Sequence, residues 1–294
     1  MNKELLKIIK EHNLHPISYS KIGNVYFVKD KFHTYVIKLN TSNYDIYKYL
    51  DSRNFLEFPE NFNFKDDNYD INEYIEDIET NKEQKINDLL MVLSLLHAKT
   101  SYIREQDLDE IKKNYESINK EILDTKAYYL KMNDIIDKQL FFSPSMYLLV
   151  RNISLIYYLL EYAHNHLNDW YQKMKDKKSL RVSLLHNNVD ISHLIINDKK
   201  YLISWDKAYF DNPIYDIESF YKKYFNNLNL DEALKIYESK NKLSPDEKEL
   251  LLIRLSIPSI IKMTKDTLSD TENIGNMLKR LETVHNYIKK NDKK

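Results

Sequence analysis

The spacing of apolar residues changes character near residue 80. Before that point, residues 17–40 alternate apolar with polar positions and are rich in Tyr, Val, Ile and Phe. Breaks at Gly23–Asn24 and at 29–31 divide this stretch, so it predicts two or three antiparallel strands joined by tight turns. Residues 3–12, followed by the helix-ending His15–Pro16 step, and residues 43–52 are predicted to be short helices. Alternation returns over 64–77 and predicts a hairpin that ends in an extended connector near Glu73–Asp77.

Beyond residue 80, apolar residues recur every three to four positions, which is the period of helices that pack against a core. Residues 182–211 interrupt this pattern with the apolar runs VSLLH, HLIIN and YLISW, which are typical of short strands joined by loops. The predicted fold class is therefore α+β, with a small β-rich N-lobe over residues 1–77 and a large, mostly helical C-lobe over 78–294. The helices predicted in the C-lobe span 82–98, 106–139, 145–175, 213–226, 231–240, 245–262 and 266–290.

Composition argues against several classes of protein. The 294 residues are 43% hydrophobic and 30% charged with a formal net charge of −1, so the overall charge does not favour nucleic acid or an anionic membrane as a partner. The chain has no cysteine, which rules out disulfides and thiolate chemistry. The N-terminal residues lack the apolar core of a secretory signal, and no stretch is apolar for long enough to span a membrane. These features predict a cytoplasmic protein.

Glycine occurs only twice, as Gly23 and Gly275, where average usage of about 7% would give roughly twenty. Loops that cradle a phosphate with backbone N–H groups use several glycines to approach it closely. A glycine-rich phosphate loop is therefore excluded. Gly23 marks either the turn of a phosphate-covering loop or a plain Gly-Asn hairpin turn.

Five segments occur in chain order: YVIKL, YDINEYIED, LLMVLSLLHAKTS, LLHNNVDISHLI and YLISWDKAYFDNPIYDIESF. Together they resemble the aminoglycoside phosphotransferase and choline kinase-like family. The last two match the family patterns H-G-D-x-x-x-x-N-L and I-D-W-x-x-A-x-x-G-D-P-x-x-D-L in spacing and order, and the resemblance covers residues 16–226. It implies a two-lobed, protein kinase-like fold in which Lys38 faces the phosphates of a nucleotide, while Glu73 and Ile75 line the nucleotide cleft. Asp45, in the following helix, is a candidate partner for Lys38.

The departures from the family patterns fall on the residues that carry the chemistry. The resemblance places the catalytic aspartate at Asn188, the metal-binding asparagine at His193 and the metal-binding aspartate at Ser204. An asparagine amide cannot accept a proton as a general base, and a serine hydroxyl brings no negative charge to Mg²⁺. The prediction is a pseudokinase with no catalytic residue and no metal site.

Structural residues of the family patterns persist where the reactive ones do not. His186 matches the histidine that braces the catalytic loop, Trp205 is retained, and Asp216 matches the aspartate that hydrogen-bonds the loop backbone. The resemblance therefore implies a catalytically inactive kinase-like protein that needs no cofactor and acts as a binding, assembly or scaffold protein with a protein partner. Two further segments, FSPSMYLLVRNISLIYYLLEYAHNHL and RNFLEFPENFNF, resemble the spore-coat-associated kinase-like branch of endospore-forming bacteria, which implies a place in the spore coat.

Two other functions stay open. An atypical ATP-dependent phosphotransferase, with Mg²⁺ as cofactor and an alcohol group as acceptor, would need Asp190 or Asp206 in place of the missing carboxylates. Asp206 lies two residues beyond Ser204, and a two-residue shift along a strand returns to the same face. A sensing module would instead bind a nucleotide or metabolite without catalysis. A zinc site at His186 and His193 has only two of the three protein ligands that zinc needs.

Overall fold

The computed structural model describes residues 3–65, 67–264 and 266–291. The chain divides into two compact units, one formed by Met1–Thr100 with Leu184–Tyr209 and the other by Ser101–Ser183 with Phe210–Lys294. The helices are α1 (Lys3–Glu11), α2 (Tyr44–Ser52), α3 (Lys82–Thr100), α4 (Leu108–Ile136), α5 (Pro144–Arg151), α6 (Ile153–Lys175), α7 (Ile214–Tyr224), α8 (Leu230–Glu238), α9 (Pro245–Ser256) and α10 (Thr267–Asn291). The strands are β1 (Ser18–Ile22), β2 (Val25–Lys29), β3 (Thr34–Leu39), β4 (Tyr69–Glu73), β5 (Tyr102–Glu105), β6 (Ser179–Leu185), β7 (Leu194–Ile196), β8 (Lys200–Leu202) and β9 (Tyr209–Asp211).

The first unit is built on an antiparallel sheet with the strand order β1-β2-β3-β4. Gly23 and Asn24 form the two-residue turn between β1 and β2. Gly23 has a φ of +57°, which glycine adopts without the steric cost that a side chain would add. Helix α1 packs on one face of this sheet through a buried cluster of Leu5, Ile8, Ile9, Tyr26, Val28, Ile37, Tyr69 and Ile71.

The opposite face of the sheet carries a mixed set of side chains. Because side chains alternate between the two faces of a strand, every second residue of β2, β3 and β4 points away from α1. The sheet register places these residues opposite one another in two rows, Val25–Lys38–Asp70 and Phe27–Val36–Asn72. One row is charged and the other is mainly apolar, and together they form one wall of the cavity described below.

Hydrogen bonds connect the two segments of the first unit, Met1–Thr100 and Leu184–Tyr209. Strands β7 and β8 pair antiparallel as a two-stranded sheet. The Asp77 carboxylate accepts the backbone N–H of Ile196 at 2.8 Å. Lys200 pairs with the buried Asp88 of α3 at 2.6 Å. These bonds hold residues 184–209 against the sheet and α3, as parts of one unit.

The second unit is mainly helical. Helix α6 packs against α4 and α9, and α10 packs against α5 and α9. The chain also forms a small three-stranded sheet with the strand order β5-β6-β9. Arg254 of α9 binds Glu218 of α7 at 2.9 Å and Glu121 of α4 at 2.5 Å, which links three helices through charged groups. Within the described residues, none of the helices combines the length and the apolar character that crossing a bilayer requires.

The predicted fold class is confirmed, because the chain has a small antiparallel sheet near its N-terminus and a larger helical region. The boundary predicted after residue 77 stays a prediction. The compact units divide the chain elsewhere, since the first unit also takes in α3 and Leu184–Tyr209. The end residues of the two predicted lobes, 1–2 and 292–294, lie outside the described residues.

Most predicted elements are confirmed, and the exceptions have local causes. The helix predicted over 145–175 is two helices, because Asn152 ends α5 and begins α6. Helix α9 ends at Ser256, six residues early, just before Pro258, which cannot supply a helical N–H. The hairpin predicted over 64–77 lies a few residues earlier: β4 pairs with residues 60–62, since the backbone N–H of Phe62 donates to the Ile71 carbonyl and that of Glu73 to the Glu60 carbonyl, both at 2.9 Å. Between the paired segments, the Asp67 carboxylate accepts the backbone N–H of Phe64 at 2.6 Å.

Candidate functional site

A cavity of about 420 Å³ lies within the first unit, against the sheet face that carries Lys38. Its volume falls in the usual range of small-molecule sites, roughly 300–1,000 Å³. The three residues predicted for a nucleotide cleft, Lys38, Glu73 and Ile75, all line this cavity. Its other lining residues are Val25, Phe27, Val36, Asn43, Tyr47, Pro59, Asp70, Asn72, Tyr74, Asp77, Ser192, Ile195, Ile203, Ser204, Trp205 and Asp206.

Lys38 is paired with Asp206. The ammonium group donates to the Asp206 carboxylate, and the two side chains are 34% and 28% exposed. Thr41 and Asn43 also donate to Asp206, at 3.4 and 3.3 Å. Burial alone would raise the pKa of Asp206, but the hydrogen bonds and the positive charge of Lys38 more than offset this, so the pKa lies below its usual value. Asp206 is therefore ionised at neutral pH, and Lys38 already has a counter-ion.

A second carboxylate, Asp70, lies opposite Lys38 in the sheet but bonds other groups. Asp70 is 3% exposed and accepts from the Asn43 backbone at 2.8 Å, from the Asn43 side chain, and from the Asn63 side chain at 2.9 Å. Desolvation raises the pKa of Asp70 despite these hydrogen bonds, and the charge of Asp206 raises it further. The side-chain amide of Asn43 thus bridges the two carboxylates.

The loop between β6 and β7 holds the segment that resembles a catalytic loop. His186 is fully buried; its Nε2 donates to the carbonyl of Ile203 at 2.8 Å, and its ring meets that of Trp205 edge-on with centroids 5.0 Å apart. His193 donates from Nδ1 to the carbonyl of Asn188 at 2.7 Å. His193 therefore holds the backbone of the loop, and His186 holds the backbone of the segment that precedes Trp205.

Asn188 and Ser204, at the predicted catalytic and metal positions, lie near each other. The Asn188 Nδ2 is 3.5 Å from the carbonyl oxygen of Ser204, at the outer limit of a hydrogen bond. Ser204 has a φ of +67°, in the left-handed region that residues other than Gly, Asn and Asp seldom adopt. Neither side chain is ionised at neutral pH, so this part of the loop offers no base and no charge for a cation.

The two candidate replacement carboxylates have different surroundings. Asp206 is among the described residues that line the cavity, as the phosphotransferase alternative requires, and Asp190 is not. Asp190 instead accepts the backbone N–H of Ser192 at 2.7 Å and caps the short 3₁₀ turn Ile191–His193. Of the two, Asp206 is the one that the cavity lining includes.

The described residues form no cluster of three or more His, Cys, Asp or Glu side chains that could hold a metal ion. The rings of His186 and His193 are 6.1 Å apart, but one nitrogen of each is engaged with a backbone carbonyl. Asp70 and Asp206 are occupied by amide and ammonium donors. Mg²⁺ prefers a near-octahedral shell of carboxylate, phosphate and water oxygens. A Mg²⁺ ion at this site would have to displace the donors that Asp70 and Asp206 now accept.

Asp216 and Asp45 are among the predicted residues outside the cavity lining. Asp216 is buried in the first turn of α7, in the second unit, so its predicted bond to the loop backbone stays a prediction. Asp45 is exposed in the first turn of α2, and Lys38 pairs with Asp206 instead. Sequence reasoning missed Asn43 and Asp70. The signal for Asp70 was available, because an aspartate between Tyr69 and Ile71 in a buried strand needs donors nearby.

No protein-family model and no curated protein matches the sequence. Solved structures share its fold. An aminoglycoside phosphotransferase from Alicyclobacillus acidocaldarius has a TM-score of 0.71 at 11% identity, over 94% of this chain and 92% of that chain. The AMP-bound complex of a spectinomycin phosphotransferase has a TM-score of 0.56 at 13% identity, over 96% and 98% of the two chains. A choline kinase from Streptococcus pneumoniae has a TM-score of 0.49 at 16% identity, over 97% and 100%. The first two similarities show a kinase-like fold and, at these identities, the fold alone.

Proposed function

We propose that this chain is a pseudokinase, a protein with a kinase-like fold that transfers no phosphate and acts by binding. The observation that carries the proposal is the state of Asp206, which lines the cavity two residues beyond the vacated position of Ser204. It is already bound by Lys38, Thr41 and Asn43. Catalysis of phosphoryl transfer depends largely on placing charged groups correctly at the phosphates, and a carboxylate held by these donors is not open to a metal ion or an acceptor.

The proposal is tested by a turnover assay. The purified chain is incubated with ATP and Mg²⁺ and with acceptors chosen from its structural neighbours, spectinomycin and choline, and ADP release is followed by a coupled reaction. We expect no ADP above the buffer background. ADP release that depends on an acceptor, and that a hydroxyl-free analogue of that acceptor does not support, would overturn the proposal.

The second candidate is an atypical phosphotransferase that uses Asp206. The observation that favours it is the position of Asp206 in the cavity lining, two residues beyond the neutral Ser204. Under this hypothesis Asp206→Ala abolishes turnover, while Asp190→Ala, at a residue outside the described cavity lining, retains it. Against it, Asp206 and Asp70 already accept other donors, which a Mg²⁺ that arrives with ATP would have to displace.

The same proposal includes a protein partner, a role in assembly and a place in the spore coat. Their support is the resemblance of residues 53–64 and 142–167 to the spore-coat-associated branch. A fluorescent fusion expressed in a sporulating bacterium tests the location. We expect the fluorescence to form a ring at the spore surface, and even fluorescence throughout the mother cell would contradict the assignment to the coat.

A further inference from the structure

Residues 140–142, in the connection between α4 and α5, form an exposed apolar tip. Leu140 is 94% exposed, Phe141 is 89% exposed and Phe142 is 46% exposed. Single apolar side chains are normal on a protein surface, but three large ones in a row indicate a contact with another molecule. The charged residues just before the tip are Asp134, Asp137 and Lys138, so this shoulder is net negative.

The second unit also contains a cavity of about 500 Å³, which we call the helix-end cavity. Its lining includes the buried side chains of Trp170 and Met174, from the last turns of α6, and that of Leu243. The exposed Ile103 of β5 adds an apolar side chain to the wall. Apolar cavities of this kind accept the anchoring side chains, often aromatic, that contribute most to protein–protein contacts.

The charges that line the helix-end cavity are net positive. Lys177 pairs with Asp246 and Arg181 pairs with Glu247, which leaves Lys242 exposed and without a carboxylate partner in the described part of the chain. Arg181 also donates to the backbone carbonyl of Lys242 at 3.0 Å and so holds this loop in place. The cavity therefore complements the tip both in its apolar lining and in the sign of its charge.

The tip and the helix-end cavity lie at opposite ends of two antiparallel helices. Tyr115 of α4 donates to Asn168 of α6 at 2.7 Å, and further along α4 Lys126 lies 3.5 Å from Glu161 of α6. The cavity adjoins the last turns of α6, whereas the tip follows the last turn of α4. Because α4 has 29 residues, its ends are about 43 Å apart. The tip therefore cannot reach the cavity of its own chain.

We propose that copies of this chain associate head to tail, with residues 140–142 of one copy in the helix-end cavity of the next. The inference rests on the proposed assembly role and names a second copy of the chain as the partner. Such a contact joins two different surfaces, so each complex keeps a free tip and a free cavity, and growth continues as a filament unless a ring closes. The contact is small, so we expect it to be weak, with a micromolar or higher dissociation constant.

Sedimentation velocity over a range of protein concentrations, from about 10 µM to about 1 mM, tests the contact. We expect the mean mass of the wild type to rise with concentration. The tip variant Leu140→Ser, Phe141→Ser removes side chains that pack on nothing in their own chain, and it should associate at least about tenfold more weakly. Leu268→Ser, which removes a 79% exposed apolar side chain from α10, is the matched control and should associate like the wild type.

A mixing experiment tests the head-to-tail geometry. Ile103→Glu places a negative charge in the wall of the helix-end cavity, and this cavity variant should stay monomeric, as should the tip variant. Each variant retains the surface that the other lacks, so an equimolar mixture should form dimers that do not grow further. Lys242→Glu, at an exposed side chain, is a second cavity variant, and urea midpoints check that every variant folds.

Each outcome decides the inference. A wild type that stays monomeric over the whole concentration range overturns it, and so does association that the tip variant retains in full. A mixture of the two variants that stays monomeric indicates a contact between two like surfaces and also overturns it. Association is measured without ATP, so the proposed absence of phosphotransfer stands or falls separately on ADP release.

Discussion

The ammonium of Lys38 bonds the carboxylate of Asp206, 168 residues later in the chain, and not that of Asp70, its direct neighbour across the sheet. The reason is that the Asp70 oxygens already accept three N–H groups from Asn43 and Asn63. A buried carboxylate with that many donors gains little from a lysine that would also have to be buried. The sheet thus presents Lys38 to the cavity, where Asp206 meets it.

A double-mutant cycle measures this ion pair. We expect Lys38→Met and Asp206→Asn each to lower the free energy of unfolding by about 1 kcal/mol, because both side chains are near one-third exposed and are partly screened by water. The double variant should lose clearly less than the sum of the two, with a coupling of about 1 kcal/mol in urea denaturation. Strictly additive losses would mean that the pair does not form in solution. Asp45→Asn, which removes an exposed carboxylate nearby in the sequence, should change stability by less than about 0.5 kcal/mol.

Asp206 should contribute to the pH dependence of the free energy of unfolding. Its folded pKa is lowered by Lys38, Asn43 and Thr41 against the raising effect of burial. A carboxyl whose folded pKa lies below the unfolded value of about 3.9 binds fewer protons in the folded state. Its contribution to stability is therefore complete above that pH and is lost as the pH falls through the folded pKa.

The measurement is the difference in unfolding free energy between the wild type and Asp206→Asn from pH 7 to pH 2. Groups whose pKa is the same in both proteins cancel, whereas Asp70, whose pKa the charge of Asp206 raises, adds a contribution of opposite sign to the difference. We expect a constant difference above about pH 5 that shrinks below pH 4. A difference that is constant throughout would show that Asp206 titrates alike in the folded and unfolded chains.

Asp70 is predicted to be the more important carboxylate for stability. Asp70→Ala leaves the Asn43 backbone N–H and the side-chain amides of Asn43 and Asn63 without their buried acceptor, which should cost about 2 kcal/mol. Asp70→Asn keeps one oxygen but turns a nitrogen toward other donors, so it should cost roughly half as much. Denaturant midpoints of the two variants check this order. A loss below about 0.5 kcal/mol for Asp70→Ala would mean that water replaces the carboxylate.

The sequence predicts the fold more completely than it predicts the contacts of the candidate site. Helices and N-terminal strands follow from apolar spacing, and Lys38, Glu73 and Ile75 were expected around one cavity, which they line. The candidate partner of Lys38 was Asp45, whereas the structure pairs Lys38 with Asp206. Which of them meets the ammonium depends on the packing of residues 184–209 against the sheet, and local patterns do not encode that. The break at Asn152 was missed for a different reason, since the apolar spacing continues across it.

Restoring the family residues should not restore the chemistry. In Asn188→Asp, Ser204→Asp, the two missing carboxylates return, and Asp at 204 tolerates the left-handed φ of +67° better than most residues. We nevertheless expect no ADP release with ATP and Mg²⁺, because Lys38 stays paired with Asp206 and His193 stays bonded to the carbonyl of residue 188.

The new carboxylates should still be detectable through metal binding. We expect the double variant to gain a Mg²⁺-dependent rise in melting temperature that the wild type lacks, since carboxylates are the ligands that Mg²⁺ prefers. Asp190→Asn, outside the described residues that line the cavity, serves as the control and should gain none. If the double variant turned over ATP, the scaffold around the loop would be competent for catalysis. Loss of function in this chain would then come down to two side chains, with Lys38 free to exchange Asp206 for phosphate.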